Sequence, residues 1–266
     1  MTPPVLTIPP AIPRAALVTG AARRLGRAIA LGLAGAGFDI AVHYAGSEAE
    51  AEDTAEAIRR LGRRAATLRA DLSREAEVAA LLPAAAAALG GAPLGVLVNN
   101  ASTFGRDEWN TATRETWDHH LEPNLRAPFV LAQAFARALP DGAEGLVLNM
   151  LDQRVWSLTP HFVTYTVSKA GLWALTRQLA LALAPRGIRV NAIGPGPALP
   201  SARQTPEQFA RQAASTPLRR GTSPEEVARA VLAILALPAM TGQMIALDGG
   251  QHLQWSPANP TEAIEE

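Results

Sequence analysis

The chain has 266 residues, 48% of them hydrophobic and 18% charged, and its 24 basic and 24 acidic residues cancel to a net charge of zero. A balanced charge without a basic cluster excludes the electrostatic footprint of a nucleic-acid binder. The absence of cysteine excludes disulfides, thiolate catalysis and zinc–thiolate sites, and no apolar run approaches the ~20 residues that span a bilayer. A soluble, cytoplasmic protein is expected, with neither a nucleic acid nor a membrane as partner.

The start, "MTPPVLTIPPAIPR", has five prolines in thirteen residues and lacks the basic and apolar regions of a signal peptide. Residues 1–14 are expected to form an extended, poorly ordered arm. Strands are then predicted at 15–19, 39–44, 65–70, 95–100, 145–150, 188–193 and 243–248, several as nearly continuous Val/Ile/Leu runs, the pattern of strands buried on both faces. Helices are predicted between them at 25–36, 48–61, 74–89, 111–138, 163–185 and 224–236. Ser47, Ser73 and Ser223 stand at N-cap positions, and Gly37, Gly62 and Gly187 where helices should stop. This alternation predicts an α/β fold: a doubly wound, seven-stranded parallel sheet with helices on both faces, in one domain over 15–253. The segment 194–215 breaks the rhythm, and a substrate lid is expected at about 197–215. The tail 254–266 either reaches a neighbouring subunit or is mobile.

The first strand runs into "TGAARRLG", where Gly20 and Gly26 bracket Arg23, Arg24 and Leu25 in a strand-to-helix turn. Such glycines are structural in many turns. After the first strand of a βαβ unit they also let the backbone approach a pyrophosphate, whose charge the helix N-terminus favours. The second strand ends "AVHYAGS" without the carboxylate that grips a ribose 2′-hydroxyl in NAD-binding folds, and Asp39 lies at its other end. Arg23 and Arg24 are either ordinary surface charges or, with Ser47, His43 and neighbouring Tyr44, a grip on a 2′-phosphate. The second reading predicts NADPH rather than NADH. After the third strand, Asp71 and Leu72 either contact adenine or, for Asp71, cap the next helix.

Tyr165 and Lys169 are four residues apart on one predicted helix and share a face. A phenol with a pKa of roughly 10 is a poor acid–base group at neutral pH, and a neighbouring ammonium lowers that value. Together, "TGAARRLG", "ADLS", "NNAS", Asn124 in "EPNLRAPF", Tyr165–Lys169 and "IGPG" resemble, in order and spacing, the short-chain dehydrogenase/reductase family from about residue 15 to 250. The resemblance implies a Rossmann-fold, usually tetrameric enzyme with a nicotinamide cofactor. It implies that Tyr165 donates the proton, that Lys169 binds the nicotinamide ribose and lowers the tyrosine pKa, and that Asn124 holds a water in a proton relay. Asn99, Asn100 and Ala101 would line the adenosine side, and Pro195 and Gly196 the nicotinamide.

Most members of that family have serine where this chain has Asp152. A serine hydroxyl donates to a substrate carbonyl, whereas an ionised carboxylate repels a developing alkoxide. Asp152 and the turn with Arg24 in place of its middle glycine resemble the pteridine reductase-like branch, including the bacterial dihydromonapterin and dihydrofolate reductases. By the match of "NNASTF" to that branch, Phe104 would stack on the pterin, unless it is an ordinary core aromatic, and Ser102 would hydrogen-bond ring or cofactor. The chain departs from the branch at Ala45 and Gly46, where further basic residues can stand, and after Pro195–Gly196, where a hydroxyl-bearing residue is often found. The expected activity is NADPH-dependent reduction of a pterin or dihydrofolate C=N bond. The alternatives are another carbonyl or imine reductase of the family and a non-catalytic Rossmann sensor.

Overall fold

The computed structural model describes residues 7–201 and 204–254. Seven strands form one parallel sheet: β1 (Ala15–Val18), β2 (Asp39–Tyr44), β3 (Ala65–Arg69), β4 (Val96–Asn99), β5 (Gly145–Met150), β6 (Ile188–Pro195) and β7 (Met244–Leu247), in the spatial order β3-β2-β1-β4-β5-β6-β7. The order reverses between β1 and β4, so the connections leaving these two strands diverge and open a crevice at their C-terminal ends. The helices are α1 (Arg24–Gly35), α2 (Glu48–Arg60), α3 (Glu75–Ala88), α4 (Arg114–Leu121), α5 (Ala127–Ala138), α6 (Val163–Leu183), α7 (Pro206–Ala214) and α8 (Pro224–Leu235).

The unbroken apolar runs reflect burial of successive side chains on opposite faces. Ala16, Val18, Ile40, Val42, Val96, Val98, Leu146 and Leu148 join one core with residues of α1, α2 and α8. Their neighbours Ala15, Leu17, Ala41, Leu97 and Val147 join the other, with Val78 and Leu82 of α3, Leu131 and Phe135 of α5 and Leu179 of α6. Each fully buried Leu, Ile, Val or Phe stabilises by roughly 1.5–3 kcal/mol.

Several local expectations change. The described part of the N-terminal arm is packed against the fold: Ile12 is fully buried, and Glu144 N–H donates to Ala11 O. The helix expected at 111–138 is α4 and α5 joined by a π-helical stretch, Glu122–Arg126, containing Pro123 and Asn124. Ser223 caps α8 through Glu226 N–H. Ser47 stands before α2 without a side-chain capping bond, and α3 starts after Arg74 rather than Ser73. The lid segment contains α7, capped by Thr205 and Gln208. The expected tail, beyond Gln254, lies outside the described residues.

Arg189 in β6 has a role its strand position does not advertise. Its guanidinium, nearly buried, donates to the carbonyls of Ile234, Leu235, Leu237 and Met240, where α8 ends. Ile234 O and Leu237 O also accept from the N–H groups of Leu237 and Met240, and Met240 O from Asn191 Nδ2, so Arg189 adds a charged donor to the turn that follows the helix. Arg189→Met should cost about 1–3 kcal/mol, and for a chain of this size Tm should fall by about 2–4 °C per kcal/mol. Thermal melts check this, and an unchanged Tm would show these contacts to be energetically idle.

Candidate active site

Strand ends supply most of the site. The cavity at the crevice has a volume of about 690 Å³ and runs from Tyr44, Ala45, Gly46 and Ser47, past the Gly20–Gly26 turn, to Asp152, Tyr165 and Lys169. Gly20 adopts φ 62, the left-handed region that glycine enters at low cost. At Gly26 a Cβ would fall 2.1 Å from Gly20 O and 2.6 Å from Asn100 Nδ2, so a side chain cannot be accommodated. The N-terminus of α1 has neither a side-chain cap nor an acidic residue in its first turn.

The turn is fastened from beneath. Asn100 Nδ2 donates to Thr19 O (2.8 Å) and Gly20 O (3.1 Å), while Thr19 Oγ1 accepts from the N–H groups of Asn100 and Ala101. His43 belongs to this fastening and not to a 2′-phosphate grip. Its Nδ1 accepts from Gly20 N–H at 3.0 Å, which leaves the proton on Nε2 to bond Ala70 O at 3.0 Å. Burial pushes its pKa down to about 4, so the ring is neutral. Its side chain is buried, and both ring nitrogens are engaged by backbone groups just beyond the ends of β1 and β3.

Arg24 has φ 56, the left-handed conformation expected where an arginine occupies a glycine position. Its guanidinium does not turn toward Ser47. It donates to Pro200 O (2.9 Å) and Leu199 O (3.4 Å), joining the phosphate turn to the segment after β6. Arg23, Leu25 and Ser47 line the cavity.

Three further residues expected at the cofactor lie outside the cavity lining. Asn99 is buried and donates to Asn149 Oδ1 at 2.8 Å. Leu72 is packed in the core on the α3 side. Asp71 accepts from the N–H and hydroxyl of Ser73 in a local turn. Asn100, Ala101, Pro195 and Gly196 do line it.

The chemical end is built on β5 and α6. Asp152 follows β5 and caps a short 3₁₀ turn, its Oδ1 accepting from Arg154 N–H at 2.8 Å. Its Oδ2 accepts from the Tyr165 hydroxyl at 2.9 Å. Lys169, one helical turn beyond Tyr165, donates through Nζ to Met150 O at 2.9 Å and lies 5.8 Å from the centre of the Tyr165 ring. The three groups named from the sequence therefore converge. The electrostatics differ from expectation: burial, then the charge and hydrogen bond of Asp152, hold the Tyr165 pKa well above its ordinary value, against the lowering pull of Arg154. Burial brings Lys169 down to about 8, with Asp152 opposing.

Phe104 meets the Tyr165 ring edge-on at 4.7 Å and stacks on Phe162 at 4.9 Å and 12°. Phe104 and Ser102 both line the cavity. Phe162 precedes α6 with φ 60, a conformation costing about 1–3 kcal/mol that recurs at functional sites. The side chain of Asn124 does not reach the cavity. Its Nδ2 donates to Thr103 O and Ser168 Oγ, and its Oδ1 accepts from Thr103 N–H, so its side chain ties the Ser102–Phe104 loop to α6. Trp156 packs against His252 and Trp173, and His161 pairs with Glu108. The sequence reading missed Gln153, Arg154, Leu199 and Gln251 in the lining. Arg154 was within reach of it, because it follows a strand end two places after Asp152.

Comparisons with known proteins agree with this geometry. Residues 20–252 match the family profile described as "Enoyl-(Acyl carrier protein) reductase". The chain is 34% identical over 249 residues to the 3beta-hydroxysteroid dehydrogenase 1 of Eggerthella lenta, across 89% of this chain and 93% of that protein. It is 32% identical over 244 residues to the 3-oxoacyl-[acyl-carrier-protein] reductase FabG of Staphylococcus aureus, across 90% and 98%. Among solved structures it is similar to the FolM alternative dihydrofolate reductase 1 from Brucella suis in complex with NADP, at 46% identity and a TM-score of 0.87, covering 98% of this chain and 100% of that one. With a matching profile over most of its length, relatives named as reductases and dehydrogenases, and a tyrosine–lysine pair at the mouth of a parallel sheet, the chain belongs to the short-chain dehydrogenase/reductase family.

Proposed function

We propose that this protein is an NADPH-dependent reductase of a C=N bond in a pterin or dihydrofolate-type substrate. The observation that carries the proposal is the hydrogen bond from Tyr165 to the Asp152 carboxylate, 2.9 Å, at a position where a ketone reductase needs a donor. The likeness to the two Brucella proteins named as alternative dihydrofolate reductases, each 46% identical, supports it. The relatives named as oxoacyl and hydroxysteroid enzymes favour the second reading, a carbonyl or imine reductase.

The residues fit a phosphorylated dinucleotide. The uncapped N-terminus of α1 and the side-chain-free Gly20 and Gly26 suit a pyrophosphate. Arg23 and Ser47, with no carboxylate at the end of β2, suit a 2′-phosphate. The NADP bound by the neighbouring structures supports the same choice. When bound, this cofactor supplies hydride. Asn100 and Ala101 would line its adenosine side and Pro195 and Gly196 its nicotinamide, and Lys169 keeps two N–H donors for a ribose hydroxyl beyond the one on Met150 O.

The chain's own part is the proton. Tyr165 is held as a neutral phenol and is therefore a donor throughout the neutral range. Giving that proton away would leave a phenolate beside Asp152, so the carboxyl must itself carry or relay a proton. Asp152 can also accept from a ring N–H, which a pterin offers and a simple ketone does not. Phe104 gives the flat ring a stacking surface. The segment 197–215 would close over the substrate, tied to the phosphate turn through Arg24. The family resemblance carries a cytoplasmic homotetramer, and the exposed apolar side chains Trp117, Val167 and Leu181 of α4 and α6 suit association.

Purified protein mixed with NADPH and dihydrobiopterin, dihydrofolate or small ketones, followed by loss of absorbance, tests the reading. Pterin or folate turnover is expected, turnover of ketones alone supports the second reading, and binding without turnover removes both. Tyr165→Phe should lower kcat by about 10²–10⁴-fold and still bind NADPH, and full activity in that variant would end the assignment. Asp152→Ser should reduce pterin turnover far more than NADPH affinity, whereas equal losses would make Asp152 structural. Finally, with Tyr165 protonated throughout and the Lys169 ammonium titrating at about 8, kcat/KM for reduction should fall as pH rises through that value. A flat profile from about pH 6 to about pH 10 would contradict the role given to Lys169.

A further inference from the structure

Arg69, the last residue of β3, is an exposed cation with no carboxylate partner among the described residues. Its neighbours along this edge differ: Arg59 pairs with Glu52, Arg60 with Glu56, Arg63 and Arg64 with Asp39, and Arg74 with Asp71. The Arg69 side chain makes one hydrogen bond among the described residues, from Nε to Ala45 O at 3.3 Å. Register and face decide where its charge lies. Arg69 is paired with Tyr44, the last residue of β2, and Ala45 begins the loop to α2. Side chains two residues apart share a face of a strand. Thr67 donates to Glu52 of α2, while Leu68 packs on the α3 side. Arg69 therefore projects from the face covered by α1 and α2, the face on which the Gly20–Gly26 turn leads into α1. The bond to Ala45 O holds the guanidinium against the Ala45–Ser47 stretch, which lines the cavity together with Arg23.

In dinucleotide-binding folds the end of the second strand meets the adenosine ribose, where a carboxylate grips the 2′-hydroxyl. Here that place has no carboxylate, and Ala45 and Gly46 bring no cation of their own. A phosphate monoester carries about −1.5 to −2 charges at neutral pH, and the planar fork of an arginine matches its oxygens. A guanidinium offers five N–H donors. The one on Nε is held by Ala45 O, and those on the two Nη atoms have no partner among the described residues. Ser47 adds a hydroxyl that makes no capping bond to α2. Arg24 is engaged elsewhere, on Leu199 O and Pro200 O. A 2′-phosphate at the end of β2 would thus lie between Arg23 of the turn and Arg69 of the neighbouring strand.

We propose that Arg69 is the specificity-determining cation for the 2′-phosphate of NADPH, reaching across from β3 to supply, with Arg23 and Ser47, the charge that the loop between β2 and α2 lacks. The proposal rests on the NADPH reading of the cavity and holds for any reducible substrate. It places cofactor choice on the strand beside the one that carries it in folds with a carboxylate at the end of β2.

Fragments of the cofactor test this without turnover. The ligands 2′,5′-ADP and 5′-AMP differ only in the 2′-phosphate, and each is titrated by calorimetry into the wild type, Arg69→Met and Arg69→Lys. The wild type should prefer 2′,5′-ADP by about 10²-fold, and Arg69→Met should cut that preference by about tenfold or more, the value of a charge-assisted hydrogen bond. Arg69→Lys should retain part of it, because the charge remains and the fork does not. Affinity for 5′-AMP should hold in all three, which reports an intact site. A preference undiminished in Arg69→Met overturns the proposal, and so does an equal loss of both ligands, which would make Arg69 a support for the loop. A wild type without any preference overturns the NADPH reading as well. No reducible substrate enters these titrations, so their outcome is independent of whether pterins or ketones are reduced.

Discussion

The hydrogen bond between Tyr165 and Asp152 is the constraint around which the site is organised. A carboxylate in contact with a buried phenol keeps that phenol protonated, because ionising it would set two negative charges 2.9 Å apart in a poorly solvated place. In the serine-bearing members of the family, a hydroxyl beside the tyrosine can help polarise a carbonyl. Here the neighbour can only accept, unless it is protonated. The pair is suited to a substrate that has N–H groups to offer and a nitrogen to protonate, and poorly suited to stabilising an alkoxide.

The pair meets because of the sheet. Asp152 leaves the end of β5, and Tyr165 stands in the first turn of α6, which follows β5 and precedes β6. The left-handed residue Phe162 starts that helix, while Asp107 O accepts its N–H and the Asp107 carboxylate accepts from Thr164. Asn124, from the π-helical stretch, fastens the loop carrying Ser102 and Phe104 to Ser168 of the same helix. Acid and aromatic platform are therefore carried by one connected set of buried hydrogen bonds, a cheaper way to hold geometry than side-chain packing on a loop alone.

Much of this was legible in the sequence because it is set by local rules. Strands β2 and β5 fall where the apolar runs place them, and the ends of α1, α2 and α8 lie within about two residues of the cap and glycine signals. Tyr165, Lys169 and Asp152 are legible through helical spacing and a strand terminus. The errors arise where the answer depends on tertiary direction. His43 and Asn99 lie at the correct strand ends, yet one braces the Gly20 turn and the other bonds Asn149 inside the protein. Arg24 was identified as a glycine substitute, but its reach to Leu199 and Pro200 depends on where the segment after β6 returns. Ile12 shows that a proline-rich start can still bury an anchor, and the pKa of Tyr165 moves opposite to the Lys169 argument because burial and Asp152 outweigh a cation whose hydrogen bond goes to Met150 O.

The distribution of charge along the cavity completes the argument. Arg23 and Arg24 stand at the phosphate turn, where a dinucleotide brings its negative charges. Lys169 and Arg154 flank the other end, where the lining contains the carboxylate of Asp152. With Tyr165 neutral, that end bears two cations and one anion. A phenol held protonated can give its proton to a basic ring nitrogen far more readily than to a ketone oxygen, a much weaker base. On the proposed reading, proton affinity selects the substrate as much as shape does.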